Sequence, residues 1–184
     1  MWCIHINTWG LNSGGPGGGI YRTTDGGDTW EPLYKNGLPG GSENPVGKTA
    51  VAISHASPNI VYALFEMDSP ALYRSEDFGD TWNLQTRNHD IAERAPYYTR
   101  MAVSTADPNE LYFASVKFSI SKDGGKTIES GYSAGGDNHD IWIDPTNADR
   151  AYGSPRWGCQ YQYEPWKDFS AHCFTHCPDV PCGR

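Results

Sequence analysis

An octapeptide that recurs three times constrains this chain more than any other feature of its sequence. The copies are TTDGGDTW at 23–30, SEDFGDTW at 75–82 and SKDGGKTI at 121–128. Their central aspartates lie 52 and 46 residues apart. Self-similarity with a period of about 40–50 residues is typical of the blades of β-propellers. The repeat therefore predicts an array of similar units rather than one irregular core.

Each octapeptide has the composition of a β-hairpin turn. Short stretches such as 19–22 (GIYR) and 71–74 (ALYR) precede it as the incoming strand. Asp-Gly-Gly supplies the positive φ angles of a tight turn, and the Asp carboxylate accepts backbone N–H groups inside it. Thr and Trp then begin the return strand. We expect a structural role for the following octapeptide residues: Asp25, Trp30, Asp77, Trp82 and Asp123.

A second repeated element lies between these turns. Three segments, ending at Tyr62, Tyr112 and Tyr152, each consist of an apolar stretch, a turn rich in Pro, Asn or Asp, and a second apolar stretch. Together with the hairpin, this element gives four short strands per unit. The predicted fold class is therefore all-β, a β-propeller of four-stranded blades.

The number of units predicts an incomplete propeller of about three blades. We divide the propeller part, residues 1–152, into blades at about 1–45, 46–95 and 96–135 and the start of a fourth at 136–152, and place a Cys- and aromatic-rich tail at 153–184. In this division the first blade lacks its innermost strand. Propellers close with about four to eight blades, so this array does not close a usual ring alone. Because open strand edges invite pairing, we also expect self-association.

The octapeptide resembles the Asp-box, or BNR repeat, of sialidases, sortilin-like receptors and xyloglucanase-type glycosidases. The segments 15–30, 94–100 and 136–145 also resemble successive parts of large BNR-repeat, glycosyl hydrolase-like propeller proteins. The resemblance covers about residues 8–152. It implies Asp-box aspartates on outer hairpins away from the active face, and an extracellular or periplasmic location. Members are typically much longer, so we expect this chain to be a piece of a longer protein.

Composition excludes several other classes of protein. The formal net charge is −8, whereas a nucleic-acid binder needs a basic surface. The sequence has no apolar run of the length that spans a membrane, and its start has no secretory signal pattern. The Gly-rich stretch 14–19 is not followed by the Lys-Ser/Thr of a phosphate loop. We therefore predict no nucleic-acid partner, no membrane partner and no cofactor.

The loop before each innermost strand carries the candidate site. In a propeller this loop faces the axis, and the alignment places Arg100 and Asp140 at equivalent positions in neighbouring blades, with His139 equivalent to Thr99. The ligand-binding candidates are Lys48, Tyr97, Tyr98, Arg100 and Asn138, and the catalytic candidates are Asp137, His139 and Asp140. Paired carboxylates suit glycoside hydrolysis. The alternative is that an Arg–Asp ion pair holds neighbouring blades together.

Three functions remain open at this point. The first is a non-catalytic segment whose inner rim binds a glycan or a protein. The second is part of a glycoside hydrolase that uses the rim carboxylates, and the third is a purely structural module. Sialidase activity is not expected, because this sequence lacks the Arg-Ile-Pro segment of the sialidases. The Cys/His tail at 172–182 does not fit a common zinc signature, so we predict no metal site there.

Overall fold

The computed structural model describes residues 2–5, 15–93, 99–130, 137–155 and 161–163. This part of the chain contains β-strands and two short 3₁₀ helices, Leu33–Asn36 and His89–Ile91. Neither helix has the length or the apolar character needed to cross a bilayer. The strands are β1 (Trp2–His5), β2 (Gly19–Arg22), β3 (Glu31–Pro32), β4 (Thr49–Ile53), β5 (Val61–Phe65), β6 (Ala71–Ser75), β7 (Asn83–Thr86), β8 (Arg100–Val103), β9 (Leu111–Ala114), β10 (Phe118–Ser121), β11 (Glu129–Ser130), β12 (Asn138–Ile143), β13 (Ala151–Pro155) and β14 (Tyr161–Tyr163).

The strands form four antiparallel sheets that follow one another along the chain. We name them sheet 1 (β1-β2-β3), sheet 2 (β4-β5-β6-β7), sheet 3 (β8-β9-β10-β11) and sheet 4 (β12-β13-β14). Within each sheet, neighbouring strands are also neighbours in sequence. The octapeptides join the last two strands of sheets 1, 2 and 3. The predicted fold class, an incomplete propeller of four-stranded blades, is confirmed.

The strand register supports the alignment of the repeats. Tyr62 pairs with Ala52 in sheet 2, and Tyr112 pairs with Ala102 in sheet 3. The backbone of Tyr152 pairs with that of Trp142 in sheet 4. The three tyrosines therefore occupy one position of the repeat, on the second strand of each sheet.

Sheet 4 extends beyond the point where the sequence suggested that the repeat ends. The expected boundary at residue 152 falls inside β13, and β14 at 161–163 pairs with β13. A third strand of the repeat therefore lies within the segment that was assigned to the tail. The other blade boundaries given above remain predictions from the sequence.

The core consists of apolar layers between successive sheets. Between sheets 2 and 3, Leu64 and Leu72 pack with Leu111 and Phe113, and all four are fully buried. Further layers lie between sheets 1 and 2 and between sheets 3 and 4. Alternate residues of a strand point to opposite faces, so each inner sheet contributes to two layers. Burial of each large apolar side chain contributes about 1.5–3 kcal/mol, and these layers stabilise the stack.

Arginines on the strand that leads into the octapeptide turn reach the next sheet. Arg22 Nη1 donates to the carbonyl of Phe78 at 3.1 Å and contacts the Asp80 carboxylate at 2.6 Å. Arg74, at the same position one sheet later, donates to Asn109 Oδ1 at 2.7 Å. The third copy has Ile120 at this position, which packs instead in the apolar layer facing sheet 4.

The octapeptide turn of sheet 2 contains a strained residue. Phe78 has a φ of 58°, a region that favours glycine, and the first and third copies have Gly26 and Gly124 there. For a residue with a Cβ, this backbone conformation costs about 1–2 kcal/mol of conformational free energy. Phe78 is 59% exposed, so removal of its ring removes few packing contacts.

We therefore expect Phe78→Gly to stabilise the protein by about 1 kcal/mol. Urea denaturation followed by circular dichroism measures this change. Phe78→Ala is the matched control, because it removes the ring and keeps the Cβ. Equal stability of the two variants would show that the backbone conformation is not the cause.

Candidate functional site

The first residues of the innermost strands lie at one end of the sheets. β8 contacts both β4 and β12, so the three innermost strands are neighbours. Arg100 lies two residues before the partner of Tyr112, and Asp140 lies two residues before the partner of Tyr152. The structure therefore places these two predicted site residues at equivalent positions of adjacent strands.

Arg100, His139 and Asp140 are exposed at this rim. A β-bulge shifts the register between Asn138 and Asp140, and His139 lies within it. Asp140 Oδ1 accepts a hydrogen bond from the N–H of the next residue at 2.9 Å. Among the described residues, the ion pairs involve other side chains, and none joins Arg100 to Asp140. The alternative of an inter-blade ion pair between them is therefore not observed.

Asn138 is part of the junction between sheets 3 and 4. Its side chain is fully buried, and Nδ2 donates to the carbonyls of Ser115 at 3.1 Å and Val116 at 3.4 Å. Its backbone N–H donates to the same Ser115 carbonyl at 2.8 Å. Burial and these contacts argue against the ligand-binding role predicted for Asn138. The side chain holds the two sheets together.

Asp137 precedes this junction in an unusual conformation. It has a φ of 64°, and its N–H donates to the carbonyl of Val116 at 3.1 Å. Its side chain is partly buried, unlike those of the exposed rim residues. The backbone at this point is therefore fixed by sheet 3, and Asp137 differs from Asp140 in its surroundings.

Lys48 lies beside a carboxylate that the sequence analysis did not single out. The N–H of Lys48 donates to Glu66 Oε2 at 2.6 Å, and the N–H of Gly47 donates to the Glu66 carbonyl at 3.0 Å. A Cβ on Gly47 would clash with the Glu66 carboxylate, so a larger residue there would displace this carboxylate from its present position. The signal in the sequence is an acidic residue directly after the buried strand β5.

A second charged cluster at this end also escaped the sequence analysis. His89, Asp90 and Glu93 bring their ligand atoms within 4.8 Å of one another, as in a metal site. Lys117 Nζ, however, contacts the carboxylates of Asp90 at 2.8 Å and Glu93 at 3.5 Å. The bond from Lys117 is also the main cause of the lowered pKa of Asp90. The ammonium group lies between the two carboxylates, where a cation would bind, so we interpret the cluster as a salt bridge that anchors the segment after sheet 2 to sheet 3.

Two rim candidates and the cysteines of the tail lie outside the described residues. Tyr97 and Tyr98 belong to this group, as do the four C-terminal cysteines, Cys159, Cys173, Cys177 and Cys182. The roles expected for them stay predictions.

The octapeptide aspartates lie at the opposite end of the sheets, inside their turns. Asp77 accepts hydrogen bonds from Ser75 Oγ at 2.7 Å, from the N–H of Thr81 at 2.9 Å and from Thr81 Oγ1 at 2.6 Å. Asp25 and Asp123 have the equivalent Thr or Ser contacts. These contacts support the structural role assigned to the aspartates.

The two tryptophans of the octapeptides close the same turns. Trp30 Nε1 donates to the carbonyl of Gly27, and Trp82 Nε1 donates to that of Gly79, both at 3.0 Å. Ile128 occupies this position in the third copy and packs against the layer between sheets 2 and 3. The first two turns therefore have an additional hydrogen bond from the indole. The third turn has apolar packing of Ile128 in its place.

The turn geometry predicts a loss of stability in acid. The hydroxyl of Thr81, its N–H and Ser75 Oγ lower the pKa of Asp77 to about 2. A carboxyl with a lowered folded-state pKa adds stability above its unfolded pKa of about 4, and that stability is lost as the pH falls to about 2. We expect the stability difference between the natural protein and Asp77→Asn to be full at neutral pH and to shrink between pH 4 and 2.

Urea denaturation at several pH values measures this difference. Asp28→Asn, at an exposed position of the first turn, is the control. A difference for Asp77→Asn that does not change with pH would contradict the assignment.

The comparisons with known proteins agree with this architecture. The family model described as BNR/Asp-box repeat matches residues 21–32. The comparison with curated proteins gave no match. The chain is thus shown to resemble BNR-type β-propellers over a segment.

Solved structures show the same likeness. A GH74 enzyme of Niastella koreensis superposes with a TM-score of 0.59 at 18% identity, over 80% of this chain and 25% of that one. A structure described as YCF48 bound to D1 peptide gives 0.57 at 15% identity, over 90% of this chain and 48% of that one. YCF48 from Cyanidioschyzon merolae gives 0.52 at 16% identity, over 83% and 49%. The chain therefore spans only a quarter to a half of these proteins, and the likeness concerns the fold.

Proposed function

We propose that this propeller segment is a non-catalytic binding module that holds a polypeptide ligand at its inner rim. The observation that carries the proposal is the pair of exposed, oppositely charged side chains, Arg100 and Asp140, at equivalent positions of adjacent strands. They make no ion pair with each other within the described ranges. Both charges are thus available for a ligand that carries charges of both signs.

A polypeptide segment with acidic and basic side chains matches this rim better than a neutral polysaccharide does. Complementary charges steer association and set specificity. The YCF48 structure that is described as bound to a peptide supports the proposal, because it shares this fold. The innermost strands also have one neighbour each within their sheets, which leaves a second edge toward the axis.

The test uses the purified chain with a tiled library of charged peptides and with a glycan array. We expect selective binding of peptides with both charges, and loss of at least about tenfold in affinity in Arg100→Glu and in Asp140→Lys. Lys126→Glu is the matched control, since Lys126 is exposed in the third octapeptide turn, at the other end of the sheets. An equal loss in this control would show that net charge alone explains the effect.

The other outcomes distinguish the alternatives. Binding of glycans that depends on the same residues would replace the peptide by a carbohydrate ligand. Turnover of polysaccharides that Asp140→Asn abolishes would favour the glycoside hydrolase, which the likeness to a GH74 enzyme suggests as the second candidate. If the chain binds neither the peptides nor the glycans, the binding proposal is wrong and the purely structural module is the remaining function.

A further inference from the structure

A cleft of about 400 Å³ lies beside sheet 1, where the chain runs from this sheet toward sheet 2. The 3₁₀ helix Leu33–Asn36 forms one side of it, and the segment 38–44 forms the other. Pro16, in the Gly-rich stretch before β2, also lines it. We call it the Tyr34 cleft. Its volume falls within the range of about 300–1,000 Å³ that is usual for small-molecule sites.

The ring of Tyr34 is the fixed apolar part of this cleft. Tyr21 meets it edge to face, with the ring centroids 6.3 Å apart and the ring planes at 88°. The backbone of the following loop lies against the ring: a Cβ on Gly40 would lie 3.0 Å from Tyr34 Cβ, and one on Gly41 would lie 3.2 Å from Tyr34 Cε2. Glycine at both positions therefore lets the loop pack closely on the ring. Leu38, which is 5% exposed, adds a second apolar side chain to the lining.

Backbone contacts tie this loop to the Gly-rich stretch before β2. The N–H of Gly41 donates to the carbonyl of Gly18 at 3.0 Å, and the N–H of Gly18 donates to the carbonyl of Gly15 at 3.0 Å. Gly15 also forms an antiparallel bridge with Val46. The walls of the Tyr34 cleft are thus held in place by the protein itself. A site that is formed before its ligand arrives loses less conformational entropy on binding.

The lining of the cleft also contains one cation and one anion. Lys35 and Glu43 both line it, and both are exposed. Among the described residues, the ion pairs include neither of these two side chains. Ser42 and Asn44 add a hydroxyl and an amide to the lining. The cleft therefore combines two opposite charges with a fixed apolar surface.

We propose that the Tyr34 cleft binds a free α-amino acid with an apolar side chain. Such a molecule carries a carboxylate for Lys35, an ammonium group for Glu43 and an apolar group for the Tyr34 ring. Charge-assisted hydrogen bonds of this kind are stronger than neutral ones. A phosphate would meet the carboxylate of Glu43, and a simple amine would meet the ammonium group of Lys35. Because like charges repel, the two side chains together select against both of these ligands.

A titration of the intact chain, followed by its backbone amide NMR signals, tests the proposal. The probe is L-leucine at about pH 6, where its carboxylate and its ammonium group are both charged. We expect saturable shifts of the signals of Gly40 and Gly41, with a dissociation constant of about 1 mM or lower. N-acetyl-L-leucine lacks the ammonium group and L-leucinamide lacks the carboxylate, so each should bind at least about tenfold more weakly.

Two variants assign each charge of the ligand to its partner. In Lys35→Met, L-leucine should lose its advantage over L-leucinamide and keep its advantage over N-acetyl-L-leucine. In Glu43→Gln, it should lose its advantage over N-acetyl-L-leucine and keep the other. Lys126→Met and Asp28→Asn are the matched controls, since both positions are exposed in octapeptide turns, and they should leave all three affinities unchanged.

This crossed pattern separates a contact with the ligand from a change in the shape of the cleft. If Lys35→Met or Glu43→Gln weakens the binding of all three probes equally, the assigned charge contact is wrong. If Glu43→Gln still rejects N-acetyl-L-leucine, bulk rather than charge excludes this probe, and the assignment of Glu43 is wrong. The proposal is overturned if L-leucine causes no saturable shift up to about 50 mM. Shifts confined to Arg100 and Asp140 would also overturn it, because they would place the amino acid at the rim instead.

Discussion

Gly125→Ala is expected to destabilise the protein by about 3 kcal/mol, because it combines backbone strain with a clash in the core. Gly125 lies in the third octapeptide turn with a φ of 93°, where an L side chain costs about 1–2 kcal/mol. A Cβ there would lie 2.3 Å from Leu72 Cδ2. Leu72 is fully buried between sheets 2 and 3, so it has little room to move.

Gly26→Ala is the matched control for this prediction. Gly26 lies in the first turn with a φ of 84°, and a Cβ there would meet no atom within 4 Å. It carries the strain without the clash, so we expect a loss of about 1 kcal/mol. Urea denaturation of the two variants measures the difference between them. Equal losses of stability would show that a Cβ at position 125 does not clash with Leu72 of sheet 2.

A double-mutant cycle isolates the contact with Leu72. Leu72→Val removes the Cδ atoms, and by itself it should destabilise the core. In the Gly125→Ala background it also relieves the clash, so the two changes should be less than additive by at least about 1 kcal/mol. Additive losses would mean that the introduced methyl group avoids Leu72 by a shift of the turn.

The repeat itself made the fold predictable from sequence. Its turns depend on contacts within eight residues, such as that between Asp25 and the N–H of Thr29, and local contacts leave a clear pattern. The register followed from the aligned tyrosines because side chains alternate along a strand. The position of Arg100 beside Asp140 was therefore also predictable.

The parts of the site that the sequence analysis missed depend on contacts between distant segments. Glu66 lies next to Gly47 only because β4 and β5 pair, and Lys117 meets Asp90 only because sheet 3 packs beside the segment after sheet 2. The alignment also gave no measure of burial. It assigned Asn138 to the rim, but it did not show that the side chain is buried in the junction with sheet 3.

Asn138→Asp is the second change from which we expect a large effect, a loss of about 3–4 kcal/mol at neutral pH. The substitution keeps the shape of the side chain. It replaces the donor Nδ2 by a carboxylate oxygen beside the carbonyls of Ser115 and Val116. The new charge is buried, and these two acceptors repel it.

The pH dependence of this loss distinguishes the electrostatic cause from a steric one. Burial disfavours the charged form, so the pKa of the introduced Asp is raised in the folded state. A group of this kind destabilises the protein above its unfolded pKa, and the penalty fades as the pH falls, because the neutral acid donates its own proton to a carbonyl. The stability of Asn138→Asp should therefore approach that of the natural protein in mild acid.

His139→Asp places the same carboxylate one residue later, at an exposed position of the bulge. We expect it to change the stability by less than about 0.5 kcal/mol. The comparison also separates the two roles considered for Asn138. If Asn138 joins sheets 3 and 4, Asn138→Asp lowers stability without any ligand present, whereas a residue that only contacts a ligand would leave the stability of the free protein unchanged and reduce its affinity.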